Sequence, residues 1–215
     1  MALRLLPFRQ YDENDVVNLF AFDPAVALDS TTDDGQASQG SIVKVAGGNF
    51  NADLITYGSN SYLGKTDYPF VGGDMYPTNS LLITGCGANE LPGAVLGVTL
   101  NQTAKNDENG EKLLYNATKK EELQAVLPGQ SVPVATKGIF TFGANAFDPN
   151  TSFTIGGGVK TAAGGTITGI ALFGAGTTGQ DATSLVIGTV LGTGTRVSNT
   201  TTDQFAGDYV IVKLG

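Results

Sequence analysis

The sequence predicts an all-β protein built of small β-barrel or sandwich modules, with an extended N-terminal arm and one or two short helices. Three observations predict this class. Glycine supplies 30 of the 215 residues, about twice its usual share, in a chain with few helix-like stretches. Short Val- and Thr-rich runs bounded by Gly or Pro recur from Ser41 to the last residue. The order of these runs also repeats. Residues 95–100 followed by 129–134 match 186–191 followed by 207–212, each second member opening on a Gly-polar pair (Gly129-Gln130, Gly207-Asp208). Two pseudo-repeats follow from that echo. The expected organisation is an arm and linker over 1–40, a first β module over 41–142 with a short helix near 119–127, and a second over 143–215.

The first ten residues are apolar and basic, with Arg4 and Arg9 among Leu3, Leu5, Leu6 and Phe8. An exposed cluster of this kind needs a surface to dock on. Asp12 is placed to cap a short helix within residues 11–20. Residues 29–40 are polar and Gly/Ser-rich, the composition of a flexible linker. The arm is therefore expected to contact a partner through Leu3, Arg4, Leu5, Leu6, Phe8, Arg9 and Tyr11. The competing expectation is that it packs on its own domain.

Strands are expected at 41–46, 53–57, 81–84 and 94–100. Asn109-Gly110 signals a tight turn with a return strand over 112–115. Thr118 and Glu121 have capping-box spacing, which places the helix at 119–127, stopped by Pro128-Gly129. Two short strands follow, 131–135 and 138–142. In the first, Val132 and Val134 share a buried face and Pro133 calls for an edge position. Further strands are expected at 152–155, 166–173, 185–191 and 209–214.

Chemistry is sparse. With no histidine there is no histidine base, no triad and no common zinc site. A net charge of −8 disfavours nucleic acid and anionic membranes as partners. No run approaches the roughly 18 apolar residues of a membrane helix, and the N-terminus is too interrupted for a signal peptide. The expectation is a soluble, unprocessed product made in a cytoplasm. Cys86 rules out an internal disulfide and reads as a small buried thiol. Residues 174–179 fit a G-x-G-x-x-G template with no helix after it, and residues 63–66 only echo the end of a P-loop. The acid-rich loops 29–35 and 106–111 lack EF-hand spacing and read as solvated turns. No carboxylate pair is marked for glycoside hydrolysis. Four N-x-S/T sequons carry little meaning without a secretory route. No cofactor is expected, and the balance favours a structural or binding role.

Residues 1–11, 16–20 and 126–142 resemble virion structural proteins of marine contractile-tailed phages, cyanophages in particular. The layout, a strand such as 94–100 followed by a Gly-x-x-Val-x-Val strand, is similar to that of phage head decoration (cement) proteins. The resemblance covers most of the chain in texture and order and brings no catalytic signature. It implies a non-enzymatic protein, made in the host cytoplasm, that binds the outer capsid surface of the virion. Its implied partner is the major capsid protein, with self-association as a trimer. Attachment would use the arm and the irregular passage 57–77, through Tyr62, Tyr68, Phe70 and Tyr76. Two alternatives stand beside it. One is a tail or baseplate component. The other is a carbohydrate-binding module using Tyr57 and those same four aromatics.

Overall fold

The computed structural model describes residues 3–48, 81–147, 151–170, 185–198 and 203–215. Within them the chain is all-β. In order the strands are β1 (Leu5–Gln10), β2 (Val16–Val17), β3 (Ala21–Phe22), β4 (Leu28–Ser30), β5 (Ile42–Gly48), β6 (Leu81–Gly85), β7 (Val95–Thr99) and β8 (Gln102–Asn106). Helix α1 (Ala117–Glu122) is followed by β9 (Ala125–Val126), β10 (Val134–Ala135), β11 (Gly138–Gly143), β12 (Gly158–Thr161), β13 (Ile167–Ile170), β14 (Gly188–Arg196) and β15 (Gly207–Leu214).

Two six-stranded sheets carry the fold, ordered β2-β10-β7-β5-β6-β3 and β1-β11-β15-β14-β12-β13, and a three-stranded sheet β4-β8-β9 joins them. In the first, the edge strands β2 and β3 are separated by only Asn18, Leu19 and Phe20. Those few residues span at most about 14 Å, whereas the edges of a flat six-stranded sheet lie about 24 Å apart. The sheet must curl until its edges approach. The second does the same, since Phe147, four residues past the end of β11, bridges Ile167 on β13. Curled sheets packed face to back give the half-barrel, sandwich-like architecture.

The two sheets share strand order and, at matched positions, register. Val134 opposes Thr99 in the first, and Val212 opposes Val190 in the second, the register that the matched sequences 95–100/129–134 and 186–191/207–212 require. Lys44 opposes Thr84 as Lys160 opposes Thr168. Phe22 runs parallel to Ile83 as Phe147 does to Ile167. Two sequence matches become legible through this pairing. Ala-Phe-Asp-Pro occurs at 21–24 and 146–149, and Ile-Thr-Gly at 83–85 and 167–169. The chain is thus a tandem pair, β2-β3-β5-β6-β7-β10 and β11-Phe147-β12-β13-β14-β15. The first member is enlarged by residues 23–40 and 101–128.

Each sheet has a front and a back. Val43, Ile83, Val132 and Val134 line the front of the first, and Leu28, Ala37, Ala104, Leu113, Ala125 and Leu127 from the enlargements cover it. The front of the second, with Phe140, Phe142, Val159, Ile167 and Val212, shares one core with the back of the first through Ile42, Cys86, Val98, Leu100 and Ala135. The modules therefore nest front to back, with the small third sheet acting as a cap over module one.

Several local expectations shift. The helix starts at Ala117 because the Asn116 side chain accepts from Lys119 N at 3.2 Å. It stops at Glu122 because Gln124 turns to φ 48° and the next two residues pair with β8. After Gly110, with φ 83°, one bridge from Asn106 to Lys112 replaces the return strand. The chain then makes a 3-10 turn that buries Leu113. Residues 152–155 form no strand, and Phe153 instead packs edge-on against Phe147 at 5.1 Å. The strand expected at 185–191 begins three residues later, at Gly188. Of the 131–135 strand only Val134–Ala135 is regular, yet Val132 and Val134 are both fully buried as expected. β11, assigned from the sequence to the first module, pairs instead with β15 of the second. The expected strand 53–57 and residues 171–173 lie outside the described residues.

Candidate attachment surfaces

The N-terminal segment is extended, but it is not a free arm. Residues 5–10 add a strand beside β11, with Leu5 opposite Phe142 and Arg9 opposite Phe140. Leu5 is 3 % exposed within the shared core, and Leu6 is also buried. Arg4 is only 7 % exposed. Its guanidinium pairs with Asp34 and donates to Ser41 Oγ at 3.0 Å and the Gly164 carbonyl at 3.1 Å. One side chain so ties together the N-terminus, the expected linker 29–40 and the second module. Burying it is tolerable because its charge is paired and its donors are used. Leu5 and Leu6 find their apolar surface inside this chain. Arg4, Leu5 and Leu6 are consequently closed to a partner.

Phe8 is different. It is 63 % exposed on the outermost strand of the sheet. Beside it Arg9 reaches Gln124 Oε1 at 3.3 Å, and Tyr11 stacks on Phe140 with ring centroids 5.9 Å apart. Leu3 is half-buried, its backbone N–H donating to the Gln204 carbonyl. Of the seven arm residues, Phe8, the Arg9 head group and the outer edge of Tyr11 remain presentable. Tyr57, Tyr62, Tyr68, Phe70 and Tyr76 lie outside the described residues, as do the glycine template at 174–179 and residues 63–66.

The acid-rich loops turn out to be hydrogen-bonded turns. Asp33 accepts from Ser30 N, and Asp107 Oδ1 accepts from both Asn109 N and Glu111 N at 2.8 Å. Asp107 Oδ2 pairs with Lys119, whose ammonium holds the buried carboxyl below the usual carboxylate range and is itself held above the usual lysine range. A carboxyl depressed on folding contributes stability that is complete above its unfolded value, about 3.9, and is lost as pH falls through the lower folded value. Asp107→Asn should therefore be less stable than the parent at neutral pH. The gap should close as urea melts are taken below about pH 4; a gap independent of pH would sink the assignment.

A second ion pair sits where the modules meet. Lys44 and Glu90 pair, which raises the lysine and lowers the carboxyl, and Gly87 N also donates to Glu90. The same loop is bound to module two by Glu90 N to Thr161 Oγ1 at 2.9 Å and by Lys160 Nζ to Asn89 Oδ1 at 2.7 Å. Beneath it, burial pushes the Cys86 thiol up to about 12, so it stays protonated and inert at neutral pH.

One cleft, of about 430 Å³, lies between the N-terminus and the cap, lined by Arg4, Asp34, Gln39, Glu122 and Gln124 among others. Within it Arg4 is engaged with Asp34, and Gln39 with Gln124. Among the described residues no group of three or more acidic or cysteine side chains is arranged to hold a metal, and no helix is long and apolar enough to cross a membrane. No family model, curated protein or solved structure matches the chain.

Proposed function

We propose that the chain is a non-enzymatic virion structural protein, a decoration protein that binds the outside of a phage head and stabilises it. Its partner in this reading is the major capsid protein, contacted by a self-associated form such as a trimer. The observation that carries it is the use of the polar and apolar groups. Two nested β modules and their cap spend their buried side chains on holding one another, while a large aromatic residue stands out on the rim strand. A rigid, acidic body with an aromatic rim suits a clamp that acts by mass action, binding the assembled shell in preference to free subunits. Attachment then falls to the rim residues Phe8 and Arg9 rather than to a flexible arm.

The test adds purified protein to capsids lacking it and measures bound copies by sedimentation and particle reconstruction. Native protein should bind and raise the temperature at which the heads release DNA. Phe8→Asp should bind at least about tenfold more weakly, the loss expected of an aromatic interface anchor, while melting like the parent. No density on the head, or density confined to tail or baseplate, would overturn the assignment.

A further inference from the structure

The turn at Asn109-Gly110 leaves one side chain without a structural task. Asp107 N donates to the Glu111 carbonyl at 2.9 Å and closes the loop. Inside it, Asn109 N and Glu111 N donate to Asp107 Oδ1, and Gly110 N donates to the Asp107 carbonyl at 3.2 Å. The Asn109 side chain is exposed and makes no hydrogen bond. Other asparagine side chains are held: Asn14 by Asp12, Asn89 by Lys160, Asn106 by the Asp29 carbonyl and Asn116 by Lys119 N. Asn109 is also the one asparagine of the sequence that a glycine follows.

We propose that Asn109 is a site of spontaneous deamidation whose isoaspartyl product loosens the cap. The Gly110 backbone nitrogen, after losing its proton to base, attacks the Asn109 side-chain carbonyl carbon. The new C–N bond closes a succinimide ring, the Cγ–Nδ2 bond breaks, and the nitrogen leaves as ammonia with a proton from solvent. Water then opens the ring at either carbonyl, leaving an aspartyl or an isoaspartyl residue. Glycine brings no side chain to hinder the closure. Its φ is 83° and nothing lies within 4 Å of an added Cβ, so that flank is open. The Gly110 N–H bond to the Asp107 carbonyl is at the long end of the normal range and is the restraint to be broken first. The consequence follows from what Asp107 ties together. Its Oδ2 holds Lys119 of α1, and its carbonyl accepts from Ser30 Oγ of β4. An isoaspartyl link adds a methylene to the main chain after residue 109 and displaces the Gly110 and Glu111 N–H groups from Asp107. No strand of the two large sheets passes through residues 107–116, so the modules keep their pairing.

The test ages the intact chain at mildly alkaline pH and maps its tryptic peptides by mass spectrometry. Peptide 106–112 should gain the mass of replacing NH2 by OH, with fragment ions placing the gain on residue 109 and not on Asn106. The rate should rise in proportion to hydroxide, and Asn109→Gln should show no gain over the same period. In the aged protein, amides of β8 and α1 should exchange with solvent at least about tenfold faster, the effect of losing one charge-assisted hydrogen bond. Those of β14 and β15 should keep the parent rates. Freshly purified Asn109→Asp, which adds the charge without lengthening the main chain, should exchange like the parent. No gain at residue 109, or an equal gain at the exposed Asn18, overturns the site. Aged protein whose cap exchanges at parent rates, or Asn109→Asp as fast as the aged protein, overturns the loosening.

Discussion

A chain lacking residues 1–22 is expected not to fold cooperatively. The deletion removes β1, β2 and β3, one or more strands from each large sheet. With them go the buried side chains of Leu5, Leu6, Phe20 and Phe22. At about 1.5–3 kcal/mol for each large apolar side chain, the loss is about 6–12 kcal/mol, comparable to the whole stability of a typical domain. The Arg4 tie is lost as well, leaving Ser41 and Gly164 without their donor. The check is a urea melt with proton NMR dispersion. A sharp transition with dispersed methyl signals would show that the segment is dispensable after all. Phe8→Asp is the control, expected to shift the melt by no more than about 0.5 kcal/mol because the side chain is exposed.

Gly97→Ala and Gly188→Ala should be destabilising to a similar degree, at the upper end of overpacking, about 3 kcal/mol each. The two glycines occupy equivalent positions in the paired modules. An added Cβ at Gly97 would overlap the Ala135 carbonyl, and one at Gly188 would come within 2.5 Å of the Lys213 carbonyl oxygen. Ala135 and Lys213 are themselves equivalent, so both substitutions pry apart the same pair of strands. Backbone cannot swing aside as a flexible side chain would. Gly110→Ala separates this effect from backbone strain, since its φ is 83° but nothing lies within 4 Å of the added carbon. That substitution should lose only about 1–2 kcal/mol. Equal losses at Gly97 and Gly110 in thermal melts would remove the close-approach argument. Unequal losses at Gly97 and Gly188 would weaken the equivalence of the modules.

The strands were legible where period-two alternation and β-branched residues agree. Residues 42–45, 81–84, 95–99, 138–142 and 209–214 are read directly from sequence, and the echo between 95–100 and 186–191 has its structural counterpart in matched register. The fuller extent of the duplication was missed, although Ala-Phe-Asp-Pro at 21–24 and 146–149 announces it. The first copy of that tetrapeptide lies within the expected arm, and its strand, Ala21–Phe22, is too short to show a period. Short elements such as Val16–Val17 carry too few residues to show a period, and their pairing is decided by neighbours more than a hundred residues away. Burial of Arg4 is likewise invisible in sequence, because its partners Asp34, Ser41 and Gly164 are brought to it only by the nested modules. Leu5, Leu6 and Phe8 are alike apolar, and nothing in the order Leu-Leu-Pro-Phe says which of them the core would claim.

Strand β11 has the first strand of the chain on one side and the last on the other. On the ribosome this sets a waiting time. β1 leaves the exit tunnel while its partner, about 130 residues downstream, has not been made. At about 5–20 residues per second, the Leu-rich start stays uncovered for on the order of ten seconds, and the sheet cannot close until β15 has also been made. Pro7, set in the middle of β1, hinders premature edge pairing with another nascent chain during that interval. Yield in the cell should therefore depend on holdase chaperones that cover β1 during that interval.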